Sequence, residues 1–124
     1  MNLSAKELGK LGEETAVQYL KEKGFQIIER NYTFLKGEID IIALDENETV
    51  FIEVKTRQNL EMDDPVYGVT PGKIIQIKKI AEFYLFEKQI DEIECRFDVV
   101  TVLFLEDQKP IIEHYINAFD YDPY

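Results

Sequence analysis

The sequence predicts an α/β domain of the α+β kind, one sheet with helices packed against it, in the order α-β-β-β-α-β-β. Three observations carry this. Two segments repeat apolar residues at helical spacing behind a helix-start signal. Five runs rich in Ile, Val, Tyr and Phe are bounded by turn residues. At 124 residues the chain suits one core rather than two.

The first helix is predicted over residues 5–23. Ser4 and Glu7 spell an S-x-x-E capping box, Leu8, Leu11, Ala16, Val17 and Leu20 form the apolar stripe, and Gly24 ends it. Phe25–Leu35, Glu38–Leu44 and Thr49–Arg57 follow as an antiparallel meander, joined by a turn at Lys36-Gly37 and a polar connection at Asp45–Glu48. Residues 58–69 read as a loop, broken by Asp63, Asp64, Pro65 and Gly68. Thr70-Pro71 starts a second helix. Its stripe of Ile74, Ile77, Ile80, Ala81, Tyr84 and Leu85 carries it to Lys88. Cys95–Leu105 and Ile111–Ile116 are the last strands, with a turn around Asp107–Pro110. The domain is expected over residues 1–117, leaving an acidic, aromatic tail at 118–124.

Composition narrows the function classes. Hydrophobic residues at 45% exclude wholesale disorder. No apolar stretch approaches the roughly 20 residues of a membrane span, and MNLSAKELGK has no apolar region of the signal-peptide kind. A lone cysteine, Cys95, excludes an intramolecular disulfide and fits a reducing cytoplasm. With His114 the sole histidine, a Cys/His zinc site is excluded too. Cys95 is expected as a small strand or core residue and His114 as a surface strand residue, neither catalytic. The net charge of −11 argues against non-specific binding of polyanions. The acidity is uneven, however: residues 80–124 hold 11 of the 25 acidic side chains and only 3 of the 14 basic ones.

The chemistry concentrates on the second and third strands. Along the third, Val50, Ile52 and Val54 share one face, while Phe51, Glu53, Lys55 and Arg57 share the other. Alone, the Glu53–Lys55 pair reads as the solvent side of a strand. Asp40 changes that reading, because it interrupts the run IDIIA and Asp is depleted in strand interiors. Across a hairpin, Asp40 and Glu53 come onto neighbouring strands about 4.8 Å apart. Two such carboxylates, a backbone carbonyl and water suit Mg²⁺ or Mn²⁺. A lysine beside them can orient a water and offset charge developing on a phosphate. This is chemistry for hydrolysing a phosphodiester.

The stretches GEIDIIA and FIEVKTR resemble the D…E-x-K core of the PD-(D/E)XK nuclease superfamily. That resemblance implies a restriction endonuclease-like αβββαβ core with a mixed sheet. Glu38-Ile39 stands where the name pattern has its proline, a departure from it. GKLGEETAVQYLKEKGF, ERNYTFLKGEIDIIA, VFIEVKTR, VTPGKIIQIKKIAEFYL and RFDVV, spanning residues 9–100, further resemble the YraN-like bacterial family, relatives of Holliday-junction resolvases.

The resemblance implies roles. Asp40 and Glu53 would ligate the metal with the Val54 carbonyl, and Lys55 would handle the attacking water. Glu13, eleven residues before the glycine of KGF, would hold a second metal or a metal water, with Glu14 as the alternative. From the residues alone, Glu13 is an ordinary helix charge. Arg57, Lys73, Lys78 and Lys79 are candidates for a phosphate backbone, or equally a solvated face. Asp98 in RFDVV is expected to pair with Arg96.

Two readings stay open. One is a Mg²⁺- or Mn²⁺-dependent endonuclease acting on DNA, of branched or damaged kinds, with weak, salt-sensitive binding; a homodimer is compatible with it. The other is a non-catalytic nucleic-acid-binding or interaction module. Convergence of Asp40, Glu53 and Glu13 beside Lys55 favours the first; an E-x-K face capped by other side chains favours the second.

Overall fold

The structure is a computed structural model that describes residues 3–58, 69–91 and 94–119. The elements are α1 (Ala5–Glu22), β1 (Gln26–Phe34), β2 (Gly37–Asp45), β3 (Glu48–Arg57), α2 (Pro71–Lys88), β4 (Cys95–Leu103) and β5 (Ile111–Phe119). Most of the expected loop, at 59–68, and the last residues of the expected tail, at 120–124, lie outside the described residues. No helix among the described residues is long and apolar enough to cross a membrane.

Both helices begin and end as their sequences dictate. At Ser4 the capping box is complete, the Ser4 hydroxyl accepting from the Glu7 N–H and the Glu7 carboxylate accepting from the Ser4 N–H. At the other end of α1, Gly24 takes φ +95, and Phe25 N–H reaches back to the Leu20 carbonyl. Only glycine adopts that conformation without strain. Thr70 caps α2 by accepting from the Lys73 N–H, and Pro71 fills the first turn.

The five strands form one mixed sheet in the order β1-β2-β3-β4-β5. β1, β2 and β3 are the expected antiparallel meander, β4 pairs antiparallel with β5, and β3 pairs parallel with β4. The helices cover opposite faces. Ala16, Val17 and Leu20 of α1 pack on Ile41, Ala43, Val50, Ile52 and Val100. Ile77, Ile80, Ala81, Tyr84 and Leu85 of α2 pack on Ile39, Ile42, Phe51, Phe97 and Val99. Each large aliphatic side chain so buried contributes roughly 1.5–3 kcal/mol. Leu11, expected in the α1 stripe, is instead 38% exposed, and Gly12 is buried in its place. The helix crosses β3 there, so closely that a Cβ on Gly12 would collide with the Thr56 side chain.

Because both faces of the sheet are covered, the solvent-side reading of the Glu53 face does not hold. Glu53's side chain is 12% exposed, beneath α2. Two further expectations are corrected. β5 runs to Phe119 rather than Ile116, since Phe119 stacks on Phe97 at 5.1 Å. His114 is not a surface residue. Its side chain is 6% exposed, with Nε2 2.8 Å from Asp98 Oδ2 and Nδ1 3.2 Å from the Tyr19 hydroxyl. Asp98 is fully buried at a bulge between β4 and β5, where it accepts from Arg96, His114 and the Asn117 N–H. Arg96 reaches on to Asp45 and Glu48, tying the β2–β3 hairpin to β4.

Candidate active site

The side-chain alternation of β2 slips at Asp40. Ile39 and Ile42 face α2, whereas Ile41 and Ala43 face α1. Pairing of β2 with β3 runs from Asp45 opposite Glu48 as far as Ile41 opposite Ile52. Beyond it the Asp40 carboxylate substitutes for a backbone acceptor: Val54 N–H donates to Asp40 Oδ2 at 2.8 Å. A side chain thus occupies the space where the two strands part, and Asp40 is fixed to β3 one residue beyond Glu53.

The two carboxyls interact directly. Burial raises the pKa of Asp40, a rise opposed by the Val54 N–H bond. Burial and the neighbouring Asp40 push Glu53 up to about 8, against the pull of Lys73, whose Nζ lies 3.5 Å from Glu53 Oε2. Without a further cation the pair keeps a proton at neutral pH. Glu53 Oε1 is buried and meets no donor among the described residues. A proton, a cation or a donor such as water would satisfy it.

Asp40 also lines the floor of an open cleft of about 680 Å³ beside α1, with Val54, Lys55 and Thr56 along one wall and Lys6, Gly9, Lys10 and Glu13 along the other. Lys55, expected to flank the carboxylates, stands in this cleft. Glu13 enters the same cleft but does not complete a three-carboxylate cluster. No group of three His, Cys, Asp or Glu side chains placed to hold a metal occurs among the described residues. The reason is local. Arg30 and Asn31 of β1 hold Glu13, with Asn31 Nδ2 3.0 Å from Oε2 and Arg30 Nη2 3.3 Å from Oε1. Asn31 sits opposite the Asp40 position in the strand register and has φ 53, a left-handed conformation that Asn tolerates. Glu14, the alternative to Glu13, pairs with the same Arg30 at 2.8 Å.

The expected phosphate stripe is dispersed. Lys73 lies against Glu53. Lys79 lines a separate hollow with Phe34, Leu35 and Ile75. Arg57 and Lys78 each have an interaction of their own. Sequence reasoning missed Lys6, Lys10, Arg30 and Asn31. The first two carry a usable signal: positions 6, 10 and 13 follow the i, i+4, i+7 spacing of one helix face, so naming Glu13 points to both lysines.

The chain belongs to the uncharacterised protein family UPF0102, whose model matches residues 12–102, and this is the YraN-like family indicated by the motifs. A UPF0102 protein of Syntrophomonas wolfei subsp. wolfei is 46% identical over 92% of this chain and 98% of its own length. One of Dictyoglomus turgidum is 43% identical over 94% of this chain and 100% of its own. One of Chlorobium limicola is 48% identical over 90% and 91%. Among solved structures, Hjc, a Holliday junction resolvase of Archaeoglobus fulgidus, is similar over 84% of this chain and 74% of its own, with 18% identity and a TM-score of 0.45.

Proposed function

We propose that the protein is a metal-dependent endonuclease that hydrolyses phosphodiester bonds in DNA, branched or damaged structures included, in the cytoplasm. The observation that carries this reading is the orphaned, buried Glu53 Oε1 beside Asp40. Two converging carboxylates with an unsatisfied oxygen, hard donors throughout, fit Mg²⁺ or Mn²⁺. Asp40, Glu53 and the Val54 carbonyl would hold the ion, which when bound supplies Lewis-acid stabilisation of phosphoryl charge.

The chain's own groups do the rest. The Val54 N–H fixes the Asp40 carboxylate, so that the ligand is oriented before anything binds. Lys55, without an ion-pair partner among the described residues, holds a water against the scissile phosphate and balances its charge. Glu13, held by Arg30 and Asn31, faces the same space and is placed to accept a hydrogen bond from a water there.

One observation favours the non-catalytic module instead: Lys73 already supplies Glu53 with a positive charge. A single assay separates the two. The wild type and Lys55→Ala are incubated with linear, flap and four-way DNA in Mg²⁺ and in Mn²⁺. Cleavage by the wild type alone supports the endonuclease; no cleavage by the wild type of any substrate in either metal replaces it with the module.

A further inference from the structure

Resting on that reading of the Asp40–Glu53 site, we infer that the nucleic-acid strand reaches it along the first turns of α1, held by Lys6 and Lys10. The α2 lysines do not form the track. Lys6, Lys10 and Lys55 all line the cleft whose floor holds Asp40, and none of the three has an ion-pair partner among the described residues. In a chain of net charge −11, a cleft lined by Lys6, Lys10, Arg30 and Lys55 against Glu13, Glu38 and Asp40 is a local inversion of sign. A phosphate backbone is the ligand that such an inversion attracts.

The acidic residues nearby do not cancel it. Arg30 takes Glu14 at 2.8 Å and Glu13 at 3.3 Å and offsets one of those two charges. With Glu38 and Asp40 also on the lining, the cleft's four basic side chains still outnumber its three acidic ones. Lys6 and Lys10 are one turn apart, about 6 Å along the helix. Successive phosphates of a duplex strand advance only about 3.4 Å along its axis, so the two lysines address separate phosphates. On α2, by contrast, Lys73 is paired with Glu53, Lys78 has an interaction of its own, and Lys79 opens onto an apolar hollow.

The chemistry also sets the kind of recognition. Lysine contacts to phosphate carry no sequence information. Arg30 and Asn31, two of the cleft residues whose side chains suit bidentate contacts to base edges, are both tied to Glu13. The track therefore selects a backbone shape, not a base sequence.

The test is equilibrium binding of the full chain to labelled single-stranded, duplex and four-way DNA, followed by anisotropy against salt in Ca²⁺ buffer. Lys6 and Lys10 are exposed, so Lys6→Ala/Lys10→Ala should fold, which circular dichroism and melting check. The expected result is weaker binding and a log K against log salt slope flattened by roughly 2, the value for two lost phosphate contacts. Lys6→Arg/Lys10→Arg should keep the wild-type slope, and Lys78→Ala/Lys79→Ala should change it far less than the α1 pair does. A slope that depends on Lys78 and Lys79 but not on Lys6 and Lys10 overturns the α1 track and leaves the nuclease reading standing. A wild type that binds none of these DNAs overturns both.

Discussion

Lys73 Nζ lies 3.5 Å from Glu53 Oε2, where its charge and its hydrogen bond hold down the proton affinity of a carboxyl otherwise raised by burial and by Asp40. Lys73 projects from the first turn of α2, so the helix that covers this face of the sheet also delivers the counter-charge. Replacing Lys73 with Met removes that charge and should raise the Glu53 pKa above its value of about 8. Carboxyl-carbon NMR titration of the metal-free wild type and variant would show it; an unmoved Glu53 would mean that the pair makes no contact in solution.

The raised pKa makes a signed prediction for stability. Folded Glu53 keeps its proton up to about pH 8, whereas an unfolded glutamate loses it near 4.5. Between those values the native state binds more protons than the unfolded one, so this stabilisation is full below pH 4.5 and is lost as the pH rises toward 8. In EDTA, the melting temperature of the wild type should fall relative to that of Glu53→Gln across this window. Parallel curves for the two proteins would refute the assignment.

A divalent ion should replace the proton. Mg²⁺ or Mn²⁺ at a hundred times its dissociation constant contributes about 2.7 kcal/mol, roughly 10 °C in melting temperature for a domain of this size. Asp40→Asn should abolish most of that rise. A rise of full size in the variant would remove Asp40 from the site.

For Lys55 the comparison is between Ala and Arg. A compact ammonium positioned against water and phosphate is not reproduced by a planar guanidinium. Both variants should keep the fold and bind metal, yet cleave at least roughly a hundredfold more slowly than the wild type. Near wild-type rates in both would rule out the proposed role.

Away from the cleft, Asp98 anchors a buried network. Burial alone would raise its pKa, but His114, Arg96 and the Asn117 N–H together bring it below the ordinary value. Its contribution is thus present above about pH 4 and is lost on acidification, the reverse of Glu53. Asp98→Ala should destabilise by about 3 kcal/mol in urea unfolding, the low end for a broken buried pair, because Asp45 and Glu48 still hold Arg96. A loss under 1 kcal/mol would show the network to be dispensable.

Much of this was legible in the residues, for physical reasons. Caps and apolar stripes are local, so Ser4, Gly24, Thr70 and the Ile77–Leu85 face could be read directly. Asp40 and Glu53 could be matched because a hairpin fixes register, and Asp98 could be assigned to Arg96 as a same-face neighbour. What escaped depends on contacts between distant segments. His114 lies in a strand whose alternation gives no hint that Tyr19 and Asp98 enclose it. The grip of Arg30 and Asn31 on Glu13 needs the packing of β1 against α1. Lys6 and Lys10 continue the row of Glu13, Val17 and Leu20 beyond the part that α1 buries, so apolar periodicity does not mark them and only their spacing to Glu13 does.

The parallel seam between β3 and β4 has a consequence for assembly. β1 to β3 follow one another through tight turns, and β4 and β5 form a hairpin of their own. Each piece can assemble from contacts close in sequence. The seam, with Glu53 opposite Val99 and Lys55 opposite Thr101, instead closes a loop of residues 58–94. Loop-closure entropy places such a contact late in folding. The strand that bears the carboxylate and the ammonium thus gains its second neighbour only when the whole domain closes. A partly folded chain therefore holds Asp40, Glu53 and Lys55 on a meander whose β3 edge is still open.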